Sequence, residues 1–197
     1  MKRVTLLLLF IGLFAMALAA TAQDKKMDMA SGSSLRADLN KDLDEVEKKL
    51  TDLCNAMPDA TLSWRPKSDV DVVRSVSEVF AHVAGSNYFL LGLAGIKSPD
   101  GLAKDFEKTY TKKAELVEQL HKSFAFMHDA LKNTSDADMN KPAKWFGSET
   151  TVGGIFTNTS LHQHEHLGQA IAYARVNGVV PPWTAEELKA AKDKKKD

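Results

Sequence analysis

The sequence predicts an all-α protein, an up-down-type four-helix bundle. Three observations carry this. Apolar residues recur every three or four positions through four long segments, no stretch reads as a strand, and the segment boundaries carry helix caps, glycines and prolines.

The chain opens Met1-Lys2-Arg3, is apolar from Val4 to Ala20, and reaches Ala20-Thr21-Ala22 before the polar Gln23. This is the order of basic, apolar and cleavage regions in an export signal. Residues 1–22 are expected to be removed after Ala22, giving an exported protein, periplasmic or secreted. The apolar run is nearly long enough to span a bilayer, but the small-residue site favours cleavage, and no second spanning segment follows, so no stable membrane span is expected afterwards. No cysteine stands at the start of the mature chain, so nothing points to a lipoprotein.

Without the signal, 175 residues remain, enough for one domain with a real core. Lys2 and Arg3 leave with it, so 24 basic residues face 26 acidic ones. No basic face is implied, and nucleic acid is not an expected partner. The single cysteine, Cys54, cannot form an internal disulfide; beside Leu50 and Leu53 it reads as a small buried hydrophobe.

Residues 23–33 are polar, with Met and Gly interspersed, and read as a flexible lead. The bundle occupies residues 34–184. Its first helix covers residues 34–57, where Leu35, Leu39, Leu43, Val46, Leu50, Leu53 and Met57 form one apolar face, and Pro58 ends it. Residues 59–74, containing Trp64-Arg65-Pro66, form a loop folded over one end. Ser75-Val76-Ser77-Glu78 is a capping box, in which the Ser hydroxyl and the Glu carboxylate each satisfy a free backbone N–H. It opens a second helix that closes near Gly95, with Val79, Phe80 and Val83 toward the core and His82 at the edge of that face.

After the turn Ser98-Pro99-Asp100-Gly101, a third helix is expected over residues 103–132, with Phe106, Tyr110, Val117, Leu120, Phe124, Met127 and Leu131 as its stripe. His121 and His128 flank that stripe and are assigned no metal role. Residues 133–150 form a polar connection around Pro142 and Trp145-Phe146-Gly147, long enough to suggest a functional loop. The fourth helix covers residues 151–177 and stops at Gly178 with Pro181-Pro182 beyond, a glycine-then-proline ending. Residues 185–197 are a charged C-terminal tail, with one more short helix expected at its start.

The chemistry concentrates in Leu161-His162-Gln163-His164-Glu165-His166-Leu167-Gly168-Gln169, which holds three of the six histidines. On a helix, His162 and His166 lie one turn apart on one face, with Ile155, Thr159, Ala170 and Tyr173 around them, while His164 points roughly opposite. Two imidazoles on a buried face each need a polar partner. A divalent metal ion satisfies both at once, because the spacing brings two ring nitrogens to a single point. Gly168, in mid-helix, costs stability relative to alanine and is expected where a neighbouring helix approaches closely.

Taken in order, four motifs make the chain resemble the DinB-like superfamily, the YfiT-like four-helix proteins, over residues 34–183. They are Trp64-Arg65-Pro66, Arg74-Ser75-Val76-Ser77-Glu78-Val79-Phe80-Ala81-His82-Val83-Ala84, the His162 to Gln169 stretch, and the ending from Gly178 to Trp183. The resemblance implies one divalent metal ion, zinc, nickel or similar, bound by a histidine of the second helix and a His-x-x-x-His pair of the fourth. Carried onto this sequence, the ligands are His82, His162 and His166. Three neutral imidazoles leave a coordination position open for water or a small-molecule substrate. Such an ion lowers the pKa of a water or thiol it binds, so hydrolysis and thiol S-transfer are both available, as the resemblance also implies. Low-molecular-weight thiols are chiefly cytosolic, which counts against the transferase in an exported protein.

Around the ligands, Glu78, Asn158 and Glu165 are candidates to orient the rings, although Glu78 also serves as a simple cap. Trp64, Trp145, Phe146 and Trp183 are candidate pocket walls. His162-x-x-Glu165-His166 also fits an inverted zinc-peptidase pattern, but that class needs a downstream acidic ligand, and Glu186 and Glu187 lie beyond Pro181-Pro182, off this helix. Two other readings stand beside the enzyme: a non-catalytic bundle that binds metal or a ligand, and structural histidines with hydrogen-bond partners. The residues leave open the metal, the substrate and whether the bundle forms a homodimer.

Overall fold

A computed structural model describes residues 35–70 and 73–194. The expected export signal of residues 1–22, the expected lead of residues 23–33 and the last three residues of the tail lie outside the described residues. The chain divides into a unit of residues 1–38, of which 35–38 are described and helical, and a unit of residues 39–197 that holds the bundle. Among the described residues no helix is long and apolar enough to cross a membrane.

Four long helices build the second unit: α1 over residues 39–56, α2 over Val76–Gly92, α4 over Lys113–Asn133 and α6 over Val152–Val176. The expected apolar face of α1 is buried from Leu39 through Leu43, Val46, Leu50 and Leu53. It meets Val79, Phe80 and Val83 of α2, Leu120, Phe124 and Met127 of α4, and Ile155 and Phe156 of α6 in one core. Cys54 is fully buried in that core, and burial pushes its thiol up to about 12, leaving it a packing group.

Polar contacts give the bundle its order. Asp42 of α1 accepts from Ser160 and His164 of α6, and Glu47 and Asn40 of α1 accept from His121 and His128 of α4. Helix α2 packs on both α4 and α6. Both α1 and α2 therefore flank α4 and α6, which places α1 and α2 at opposite corners.

The capping box forms as the sequence predicts: Glu78 N–H donates to Ser75 Oγ, and Ser75 N–H donates to the Glu78 carboxylate. The preceding loop is tied down, since Val76 and Ser77 N–H donate to the carbonyls of Trp64 and Leu62. Helix α6 ends in a Schellman motif. Gly178, at φ 75°, turns the chain so that Val179 N–H reaches Ala174 O and Gly178 N–H reaches Arg175 O. Helix α7, Pro182–Asp193, follows with proline in its first turn.

Two expectations need correction. The third helix is not continuous from residue 103. A four-residue helix α3, Phe106–Thr109, is capped by Asp105 and ends as Tyr110 turns extended, and α4 starts only at Lys113. The break lets Phe106 fold back onto α2, where a Cβ on Gly85 would lie 3.1 Å from its ring. The connection of residues 133–150 also holds regular structure that the pattern did not reveal. A short helix α5, Asp136–Met139, precedes an antiparallel hairpin of β1, Pro142–Trp145, and β2, Ser148–Thr151, turned at Phe146-Gly147. Its strands have four residues each, too few for alternation to show. Gly168 likewise departs from expectation: no neighbouring atom lies within 4 Å of where its Cβ would be, and nothing in the structure explains it.

Candidate metal centre

Helices α2 and α6 pack face to face and bring His82, His162 and His166 together. His162 Nε2 lies 3.2 Å from His82 Nε2 and 3.2 Å from His166 Nε2. All three ligand atoms fall within 4.8 Å of one another, and each side chain is half-buried. Two donors held on one tetrahedral ion at about 2.0–2.1 Å stand about 3.3 Å apart, so both of these spacings suit a shared cation.

The outer nitrogens explain why the inner ones converge. His82 Nδ1 donates to Glu107 Oε1 at 2.8 Å. His166 Nδ1 donates to Gln169 Oε1 at 2.8 Å, and Gln169 is held in turn by donating from Nε2 to the Tyr173 hydroxyl at 3.0 Å. A neutral ring whose proton sits on Nδ1 presents a lone pair at Nε2. His82 and His166 therefore both aim lone pairs at His162, which can donate to only one of them. His162 Nδ1 is itself buried without a partner. The cluster is short of positive charge in any protonation pattern of neutral rings, and a divalent cation supplies it. The chemistry of the donor set thus fits a metal, with Glu107 and Gln169 in the orienting roles that such sites use.

The electrostatics disfavour a proton on His162 and His82. Burial, then the charges of His166, His82 and Arg74, push His162 down to about 4. Burial and the neighbouring Arg74 and His166 also hold His82 below its ordinary value, against the pull of Glu107. Glu107 serves two partners, since its Oε1 also lies 3.0 Å from Arg74 Nε.

Of the other residues singled out in the sequence, Glu78 stays with its cap and with Arg65 at 2.9 Å. Glu165 is exposed, and Asn158 is half-buried without reaching the bare His162 Nδ1. His164 faces α1, donating to Asp42 Oδ1 at 2.9 Å. Trp64 packs edge-on against Tyr173 at 5.3 Å, and Trp183 lies under Lys49.

A cavity of about 490 Å³ opens beside the triad, lined on α2 by His82, Gly85, Ser86 and Phe89 and across from it by Leu102, Phe106 and Glu107. Ser86 Oγ lies 3.4 Å from His82 Nε2, and of the three histidines His82 alone lines the cavity. None of Trp64, Trp145, Phe146 and Trp183 lines it. A larger cavity of about 840 Å³ lies on the other side of Glu107, between Arg65, Glu78 and Lys113; no histidine lines it, and its Arg65 and Lys113 are already paired with Glu78 and Asp59.

The profile of the DinB superfamily matches residues 42–170, a span that includes all three histidines. The chain belongs to the DinB superfamily. Among solved structures of this superfamily, a DinB-like protein from Bacillus cereus is similar at 19% identity and TM-score 0.59, over 70% of this chain and 89% of that one. YfiT from Bacillus subtilis, described as a probable metal-dependent hydrolase with an unusual four-helix bundle topology, is similar at 18% identity and TM-score 0.56, over 74% and 89%. At these identities the likeness is one of fold. No curated protein matches the chain.

Glu107 and Gln169 are the residues that sequence reasoning missed. Gln169 was legible, because a position three residues after His166 shares its helix face. Glu107 was not, because its partner lies 25 residues earlier on another helix, and the break after Thr109 that frees its short helix was concealed by the apolar stripe.

Proposed function

We propose that this protein is an exported, metal-dependent hydrolase acting on a small-molecule ester or amide. The single observation that carries the reading is the convergence of three imidazole ligand atoms, one of them from His82, which lines a cavity large enough for a small substrate. A divalent ion held by His82, His162 and His166 supplies Lewis acidity and lowers the pKa of a bound water. The chain's own residues do the remaining work. Glu107 and Gln169 fix the rings with their protons on Nδ1, so the ligand atoms stay deprotonated. Arg74 pairs with Glu107, and its charge disfavours protonation of His82 and His162. Ser86, one turn from His82 and lining the cavity, offers a hydroxyl to a substrate oxygen. The neighbouring YfiT description supports the same reading, and the basic, apolar and small-residue order of residues 1–22 supports export.

The test is metal content by elemental analysis of the untagged chain from Gln23, beside a His162→Ala, His166→Ala double variant. About one equivalent of zinc or nickel is expected in the wild type and none in the variant. Metal-dependent hydrolysis of an ester or amide panel, abolished by chelation and restored by the ion, completes the case. Absence of metal after reconstitution with either ion would sink it. Recovery of a chain beginning at Gln23 from the periplasm or medium tests export, and retention of the intact chain in the membrane fraction would overturn it.

A further inference from the structure

Phe146 breaks two rules at one position. It is 64% exposed, and at φ 47° it occupies the left-handed region that bulky L residues avoid. The two-residue turn that it forms with Gly147 ordinarily carries Asn or Gly there. Strain of this kind persists where the surroundings or a function hold it. The turn projects the Phe146 ring to within 6.2 Å of Phe89, itself 62% exposed, with Trp145 edge-on behind it at 5.0 Å.

Phe89 links this pair to the metal centre. His82, Ser86 and Phe89 are spaced i, i+4, i+7 on α2 and all line the cavity beside the triad. Phe89 therefore stands about 10 Å along the helix axis from His82. The facing wall offers apolar surface from Leu102, Ala103 and Phe106, interleaved with Ser98, Lys104 and Asp105.

We propose that Phe89 and the hairpin-tip Phe146 form an aromatic clamp that selects substrates carrying an aryl or bulky alkyl group about 10 Å from the bond that is cleaved. The clamp rests on the hydrolase reading above and names its substrate class: esters or amides of long arylalkanoic acids. The occupant of the exposed rings is the substrate's own apolar end, because the patch is continuous with the cavity and not an isolated surface face.

The test uses two zinc-chelating probes on the zinc-loaded chain, acetohydroxamate and 6-phenylhexanohydroxamate, measured by calorimetry on the wild type, Phe89→Ala and Phe146→Asn. The wild type is expected to prefer the aryl probe by roughly tenfold or more, and both variants to lose most of that preference, read as the ratio of the two affinities within each variant. Asn suits the left-handed turn, so Phe146→Asn should keep or raise the melting temperature; stability and aryl affinity then move in opposite directions, which a purely structural Phe146 would not produce. Equal wild-type affinities for the two probes, or a preference that survives both substitutions, would overturn the clamp. So would a wild-type dimer that Phe146→Asn dissociates with the preference intact, since the rings would then be a self-association surface. Binding of neither probe would refute the metal reading, and the clamp with it.

Discussion

Replacing Glu107 by alanine is the most direct probe of how the site is held. Its Oε1 takes the Nδ1 proton of His82 at 2.8 Å and faces Arg74 Nε at 3.0 Å. Without that oxygen, His82 is free to carry its proton on Nε2, the ligand atom, and the Arg74 charge is left beside the triad without its partner. Loss of such an orienting partner typically costs about 10–100-fold in metal affinity, or about 1.4–2.7 kcal/mol. The Arg74 pair is partly exposed, and a pair of that kind contributes only about 0–1 kcal/mol to the fold. Metal affinity should therefore collapse while stability barely moves. Glu107→Gln keeps an acceptor oxygen but not the charge, and should fall between alanine and the wild type. The assay is competition for zinc against a chromophoric chelator at neutral pH, with urea unfolding of the metal-free chain alongside. An unchanged zinc affinity in Glu107→Ala would refute the proposed role of the His82–Glu107 bond.

His162 titrates at about 4 in the fold against an ordinary 6.5, and His82 is also held low, so the unfolded chain binds more protons between those values. The metal-free fold should keep this contribution above pH 6.5 and lose it as the pH falls toward 4; denaturant midpoints measured across that range should decline, and less steeply in His162→Gln. Asn87, fully buried, donates to Ser123 Oγ at 3.0 Å and accepts from Gln163 Nε2 at 2.9 Å. Asn87→Ala takes one partner from each, leaving Ser123 with Leu120 O and Gln163 with Met127 Sδ, and urea unfolding should register a loss of about 1–3 kcal/mol, where a loss well below 1 would count against the network. Gly168→Ala meets open space in mid-helix, so it should stabilise the fold by up to about 1 kcal/mol without altering zinc affinity.

The legible parts of the molecule are those that a single helix encodes. The capping box at Ser75 and the glycine-proline ending of α6 appear in the sequence because each is completed within a few residues. The His162 and His166 pair was readable for the same reason, and His82 joined them through its motif on α2. What stayed hidden depends on contacts between distant segments. The apolar stripe runs unbroken past Tyr110, so the interruption that delivers Glu107 to His82 shows no breaker; Gly85, whose missing Cβ admits Phe106, is its one local trace. The hairpin was hidden because its strands are short, and its turn places phenylalanine where asparagine or glycine would have announced it.

Helix α6 accounts for the order of the site. Its successive side chains address different neighbours: His162 faces α2, Gln163 enters the core to meet Asn87 of α2 and Met127 of α4, and His164 turns to Asp42 of α1. Ser160 reaches the same Asp42 carboxylate. Rotating α6 by one residue, or sliding it by one turn, would break polar contacts on two or three sides at once, and each broken buried contact carries a desolvation penalty. An apolar interface alone would tolerate such shifts far better. The polar contacts therefore fix the rotation and height of α6, which sets His162 and His166 against His82 before any ion binds. This is preorganisation by helix register, since the contacts that set the register lie on other faces of the helix than the ligands themselves.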